Sequence, residues 1–319
     1  MTPRNIPASI HARLLNLSRA SQEDFQMLLN RYARERLLYR LSQSPYRDRF
    51  ILKGATLFSV WAEKPFRSTR DADFLSFGSS DVESVTAVFR ELCRDGDRQD
   101  DADGDDDLGP EDGVQFDPDS LQGARIREEE EYDGVRIHLT AYLGKARAPI
   151  QVDIGFGDAI TPEAQDVELP VILDHPAPRL RAYPKETVIA EKLHAMAIHG
   201  STNSRMRDFY DVWVLQSQFP FDGSTLSAAI RATFDRRQTP MEPSSWTPFQ
   251  SSFYAAEDPL TRWRLYVSRG HFERIPPQFA EVGAAIERFL RPVAESIARG
   301  EPLGLVWPPG GPWEPKEES

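Results

Sequence analysis

The segment RSTRDADFLSF, residues 67–77, sets two aspartates, Asp71 and Asp73, two positions apart in a stretch that otherwise reads as a strand. Side chains alternate along a strand, so both carboxylates leave from one face while Ala72 and Phe74 leave from the other. Like charges this close repel and lose hydration, and a half-buried strand tolerates them best with a cation between them. Mg²⁺ suits such a pair, because it is held through one or two carboxylates and keeps positions for water and phosphate. Alone, an Asp-x-Asp pair is more often an ordinary acidic strand end, so the surrounding elements decide its meaning.

Downstream, Val135, Ile137, Leu139, Ala141 and Leu143 alternate with Arg136, His138, Thr140 and Tyr142, which predicts a strand. The run GKARA at 144–148 turns the chain, and Ile150, Val152 and Ile154 alternate with Gln151 and Asp153 in a second strand. The two form an antiparallel hairpin. Asp153 is then a lone strand acid, either solvent-facing or a third carboxylate beside the pair. Upstream, Phe50 to Trp61 reads as a helix whose early turns carry Gly54, followed by Ala55 and Thr56.

The remaining elements are mostly helical. Leu14, Leu15, Phe25, Leu28, Leu29, Tyr32, Leu37, Leu38 and Leu41 recur at spacings of three and four, giving two packing helices with basic outer faces between Ser9 and Ser44. Another helix is expected from Val82 to Cys93. After a proline-rich connector, one helix runs from about Lys185 to His199, with Ile189, Leu193, Met196 and Ala197 inward and Glu191, Lys192 and His199 on its polar sides. The next, about Asn203 to Ser217, carries Arg205, Asp208 and Asp211 on one face, which by itself reads as a surface ladder of ion pairs. Helices near Leu226–Phe234 and Pro277–Ala298 complete the packing. His194 and His199, five apart, lack a zinc spacing and are expected to pack or hydrogen bond. These elements divide the chain into N-terminal helices at 1–45, a core at 46–180, a helical domain at 181–300 and a loose tail at 301–319 rich in Pro, Gly and Glu.

Composition excludes several classes. The chain has 319 residues, enough for one large or two ordinary domains, with 40% hydrophobic and 28% charged residues. No run reaches the length of a membrane span and MTPRNIPASI lacks a signal-peptide core, so no membrane partner and a cytoplasmic location are expected. One cysteine, Cys93, rules out an internal disulfide and a multi-cysteine zinc site, and is expected to be a small buried residue. The net charge of -12 argues against a polyanion partner, yet residues 95–112 hold ten acidic residues against one Arg and account for -9 of it. A local basic face therefore stays compatible with the total. That acidic run is expected to be a solvated loop, because its glycine falls fourth and its twelfth residue is Asp112, which is not a calcium-loop pattern.

In this order, FILKGATLF, RSTRDADFL, QVDIGFGDA and AEKLHAMAIHGSTNSRMRDFYDVWVL resemble the AbiEii/AbiGii family of nucleotidyltransferase toxins from type IV toxin–antitoxin systems, over roughly Phe50 to Gln218. The resemblance implies an α+β fold: a nucleotidyltransferase-like mixed sheet between an N-terminal helical segment and a C-terminal helical domain. It implies transfer of a nucleoside monophosphate from a nucleoside triphosphate (NTP) to an acceptor hydroxyl, with Mg²⁺ or Mn²⁺ held by Asp71, Asp73 and Asp153. Gly54 would let the backbone approach the triphosphate, with Ala55 beside it and Thr56 offering a hydroxyl. Lys53 either sits near phosphate or snorkels from the sheet edge. Lys192 and Arg205 would contact nucleotide phosphate, Arg205 alternatively orienting a carboxylate. Asp211 would assist deprotonation of the acceptor, and Asp208 either joins the site or pairs with Arg205. Where the superfamily carries Gly-Gly or Gly-Ser, this chain has Gly54-Ala55, which puts the strength of phosphate binding in doubt. The implied acceptor is an RNA, the tRNA 3′ end, and the implied partner a cognate antitoxin. Small-molecule nucleotidyl transfer and a nucleotide-binding module without turnover are the alternatives. Kinase-like transfer to protein is weaker, since no glycine-rich loop or HRD-type motif is present.

Overall fold

The computed structural model describes residues 5–62, 66–67, 69, 71–95, 111–128, 132–270 and 272–316. The chain forms two compact units, Met1–Glu63 with Thr69–Gly157 and Asp166–Ala182, and Lys64–Ser68 with Asp158–Gln165 and Tyr183–Ser319. Most of the acidic run at 95–112, expected to be a solvated loop, lies outside the described residues.

The first unit opens with α1 (Ile6–Ser21) and α2 (Phe25–Gln43), capped by Asn5 and Asp24, whose side chains accept from the backbone N–H of Ala8 and Met27. Next come β1 (Phe50–Lys53), a tight 3₁₀ turn at Gly54–Leu57, the short α3 (Phe58–Trp61), β2 (Asp71–Ser76) and α4 (Val82–Asp95). They are followed by β3 (Val114–Glu128), β4 (Tyr132–Leu143), β5 (Ala146–Phe156), β6 (Gln165–Glu168) and β7 (Arg179–Ala182). The seven strands form one mixed sheet in the order β3-β4-β5-β2-β1-β7-β6. β2 pairs parallel with β5 and antiparallel with β1, while β4 and β5 form the expected hairpin.

The fold is α+β, as expected, with three local corrections in this unit. Phe50–Lys53 is a buried strand rather than the start of a helix. Phe50, Ile51 and Leu52, three consecutive apolar residues, carry no period, and pairing on both sides, with β2 and β7, buries them together with Lys53. β3 went unread because Pro118 and a register shift between Asp117 and Gln122 break its alternation. The basic face expected outside α2 is instead buried: Arg34, Arg36 and Arg40 donate to the carbonyls of Thr69, Pro176 and Val114. α2 lies against β5 and α4 against β3, on the sheet face that presents Ala72, Phe74, Val152 and Ile154. Phe50 meets Phe74 and Phe89 edge-on there, with ring centroids 5.9 and 5.8 Å apart. Cys93 is buried, in line with its expected role.

The second unit contains α5 (Lys185–His199), α6 (Met206–Gln218), β8 (Phe221–Asp222), α7 (Gly223–Arg236), α8 (Ser251–Ala255), α9 (Glu257–Arg269) and α10 (Phe279–Ala298). β9 (Leu305–Trp307) and β10 (Glu314–Pro315) complete a small sheet in the order β10-β9-β8. The tail expected to be loose at 301–319 is therefore structured over 305–315. Its tryptophans explain this: Trp307 is buried and donates from Nε1 to the Gln216 carbonyl, and Trp313 stacks on Phe289 at 5.7 Å. Proline and glycine content concealed two large rings with partners. Among the described residues no helix is long and apolar enough to cross a membrane.

Candidate active site

Cross-strand register in the first unit aligns four charged residues on adjacent strands. Lys53 of β1 stands opposite Asp73 of β2, Asp73 opposite Asp153 of β5, and Asp153 opposite Arg136 of β4. The row thus reads cation, anion, anion, cation across the sheet. One same-face step away, Asp71 stands opposite Gln151, which stands opposite His138. Directly opposed like charges destabilise a sheet, and the flanking Lys53 and Arg136 offset the Asp73–Asp153 repulsion. This register sets Asp153, expected to be either solvent-facing or a third carboxylate, directly beside Asp73.

The backbone at Gly54 is fitted to Asp73. Gly54 has φ +74°, and a Cβ there would lie 2.1 Å from Asp73 Oδ2. Only a residue without a side chain lets the chain pass beneath that carboxylate. Two residues on, the Thr56 hydroxyl is buried and has no hydrogen-bond partner among the described residues. An unsatisfied buried hydroxyl is costly, and it is what a phosphate oxygen would relieve. Ala55 is buried beside it and Lys53 is buried as well. Arg34, on α2, stands in the field of the pair: burial pulls its guanidinium down to about 10, while Asp71 and Asp73 act to raise it.

Asp153 is not poised to bind a cation. Arg136 donates from Nε and Nη2 to its two oxygens, both at 2.7 Å, and the Gln151 amide approaches the same oxygens at 3.3 and 3.2 Å. The hydrogen bond to Asp153 raises the Arg136 pKa, and the fields of Asp71 and Asp73 add to it. Among the described residues no three His, Cys, Asp or Glu side chains stand together as a metal cluster. The donor set still suits a hard divalent cation, because Asp71 and Asp73 offer carboxylate oxygens from one half-exposed face of β2. Asp153 would complete that set only after parting from Arg136.

The second unit holds Lys192, Arg205, Asp208 and Asp211 in one network, joined by Arg67. Arg67 donates from Nε and Nη2 to the two oxygens of Asp211 at 2.7 and 2.8 Å. Lys192 Nζ reaches Asp208 Oδ1 at 2.8 Å and Asp211 Oδ2 at 2.7 Å, and Arg205 Nε donates to Asp208 Oδ2 at 2.8 Å. Asp208 pairs with Arg205, one of the two alternatives open for it, and the network is no surface ladder: Asp208 and Asp211 are 1% and 0% exposed. Burial alone would push both carboxyls up. Lys192 and Arg205 hold Asp208 below the ordinary range, and Arg67 and Lys192 do the same for Asp211. Asp211, expected to accept a proton from an acceptor hydroxyl, is in this structure sealed from solvent and held by Arg67 and Lys192. A sealed carboxylate with three charged hydrogen bonds and a depressed pKa is a poor base. Its geometry instead fixes Lys192 and Arg67.

His194 serves hydrogen bonding, as expected. Its Nδ1 faces Arg237 Nη1 at 3.0 Å and its Nε2 faces the Thr239 hydroxyl at 2.8 Å. Burial, then the Arg237 charge, pull its pKa down from 6.5 to about 3. A depressed histidine pKa means the unfolded chain takes up a proton below pH 6.5 that the folded chain refuses, so stability is kept above that pH and lost as pH falls toward 3. On going from pH 7 to 5 the wild type should lose about 2 kcal/mol more than His194→Gln. Urea unfolding midpoints at the two pH values measure this, and parallel pH profiles would discount it.

Three participants escaped the sequence reading. Arg136 was recoverable: a hairpin turning at Gly144-Lys145 pairs Leu143 with Ala146 and, counting back, Arg136 with Asp153. Arg34 and Arg67 left no such signal, since their partners lie 35 and 144 residues away.

A family model described as the nucleotidyl transferase AbiEii toxin of type IV toxin–antitoxin systems matches residues 36–285, and the chain belongs to that family. Two solved structures from Helicobacter pylori resemble it at 12% identity. One, a proposed nucleotidyltransferase, is matched over 87% of this chain and 99% of that chain with a TM-score of 0.48. The other, JHP933, is matched over 87% and 95% with a TM-score of 0.47. A comparison with curated proteins found no match.

Proposed function

We propose that this protein transfers a nucleoside monophosphate from an NTP to the hydroxyl of an RNA acceptor, the tRNA 3′ end first among them, and that a cognate antitoxin restrains it in the cytoplasm. The observation that carries the reading is the seat of Asp73: beside Asp153 in the sheet register, one same-face step from Asp71, and over a glycine with no room for a side chain. Asp71 and Asp73 would hold Mg²⁺ or Mn²⁺, with Asp153 as the further ligand. Bound there, the cation supplies activation of the attacking hydroxyl and charge for the departing pyrophosphate.

The chain's own groups do the rest. The acceptor oxygen bonds to the α-phosphorus as the bond from that phosphorus to the α–β bridging oxygen breaks; the hydroxyl proton passes to solvent water and pyrophosphate leaves. Gly54 admits the phosphates to the backbone, and the Thr56 hydroxyl donates to one of them. In the second unit Lys192 and Arg205 provide phosphate-binding charge, with Asp208 and Asp211 fixing where that charge sits.

Purified protein incubated with α-labelled NTPs, Mg²⁺ and total RNA should place label on RNA, and Asp71→Ala should leave RNA unlabelled. Label appearing on a small molecule instead would redirect the acceptor class. Nucleotide binding without any pyrophosphate release would reduce the protein to a binding module, and equal labelling by Asp71→Ala would sink the assignment of the acidic pair.

A further inference from the structure

Asp153 stands in the acidic row already neutralised. Arg136 meets it with two parallel hydrogen bonds at 2.7 Å, the strongest geometry available between a guanidinium and a carboxylate. The Gln151 amide takes up further lone pairs on the same oxygens. A divalent cation seeking Asp153 must displace this fork, and a cation on Asp71 and Asp73 would also repel the guanidinium held in their field. The pair is unequally anchored: the Arg136 side chain is 36% exposed and that of Asp153 is 12%. Arg136 therefore has solvent to swing into once the fork is broken, whereas the carboxylate stays on its strand. A phosphate group offers a guanidinium the same two-oxygen edge as a carboxylate, with more charge.

We propose that Arg136 is a positioning residue that withholds Asp153 from divalent cations until a nucleoside triphosphate gives the guanidinium a phosphate in its place. The proposal rests on the acidic pair as a cation site, but it makes a claim about binding alone. It couples the two ligands: nucleotide opens the third carboxylate to the metal, so a chain without nucleotide holds metal weakly.

The test is Mn²⁺ titration of the full chain, followed by the spin resonance signal of free Mn²⁺, with no nucleotide or acceptor present. Arg136→Met should bind Mn²⁺ at least about tenfold more tightly than wild type, the worth of roughly one charged hydrogen bond set aside. Adding Asp153→Asn to that variant should cancel the gain. Arg136→Lys, which keeps the charge but loses the fork, should fall between the two. With a non-hydrolysable NTP analogue present, the wild type should bind Mn²⁺ more tightly and the advantage of Arg136→Met should shrink. Equal Mn²⁺ affinity in wild type and Arg136→Met overturns the proposal, as does a gain that survives Asp153→Asn or the absence of Mn²⁺ binding by either protein. Failure of RNA labelling, by contrast, bears on the acceptor and the chemistry and leaves these titrations standing. Urea midpoints for each variant verify that the changes act on a folded chain.

Discussion

Gly54→Ala is expected to lower nucleotidyl transfer at least about a hundredfold while the chain still folds, the loss that follows when a reacting group is displaced by about an ångström. Two independent features of the site add up to this. A Cβ on Gly54 would lie 2.1 Å from Asp73 Oδ2 and 2.9 Å from its Cβ, so the carboxylate has to move or the turn has to open. The left-handed backbone at φ +74° costs an alanine about 1–2 kcal/mol more. The strain falls on a 3₁₀ turn at the end of β1, not in the centre of the sheet, so the damage should appear in kcat/KM far more than in the unfolding midpoint. Steady-state transfer rates together with urea unfolding of wild type and variant measure both. Transfer at near wild-type rate would mean that the fit of backbone to carboxylate is incidental.

Asp211→Ala is expected to destabilise the second unit by about 3–5 kcal/mol, the usual consequence of removing one partner from a buried ion pair. Asp211 is fully buried, and its loss leaves Arg67, 15% exposed, and Lys192, 14% exposed, facing each other's charge with one carboxylate fewer. Asp208→Ala should cost less, because Arg205 is 35% exposed and can turn to water. The comparison is read from urea midpoints, and a double replacement of Arg67 and Asp211 by apolar residues should recover part of the loss. A stably folded, inactive Asp211→Ala protein would restore the proton-accepting role that the geometry argues against.

Much of the site was legible before the structure because its chemistry is local in sequence. The Asp71/Asp73 alternation needs only one strand, and the Asp153 hairpin needs only one turn. What could not be read depends on partners brought in from elsewhere. Arg34, Arg36 and Arg40 look like a solvated face because periodicity records the type of a side chain, not the carbonyl that receives it. Phe50–Lys53 looked helical because a short apolar run is silent about its conformation, and only β2 and β7 make it a strand. Asp211 looked available because Arg67, its tightest partner, is 144 residues away.

The parallel register of β2 with β5 has a consequence for how this family's genes can vary. Asp73 and Asp153 are neighbours because backbone hydrogen bonds hold their strands about 4.8 Å apart, so their separation belongs to the sheet and is indifferent to most substitutions around them. A single codon gained or lost within 71–76 or 146–156 is a different matter, for it shifts the register by one and sends an acid to the opposite face. The same change at Gly144-Lys145, between β4 and β5, spares the register of β5 on β2. Insertions and deletions within β2 and β5 are what the alignment of Asp73 with Asp153 cannot absorb.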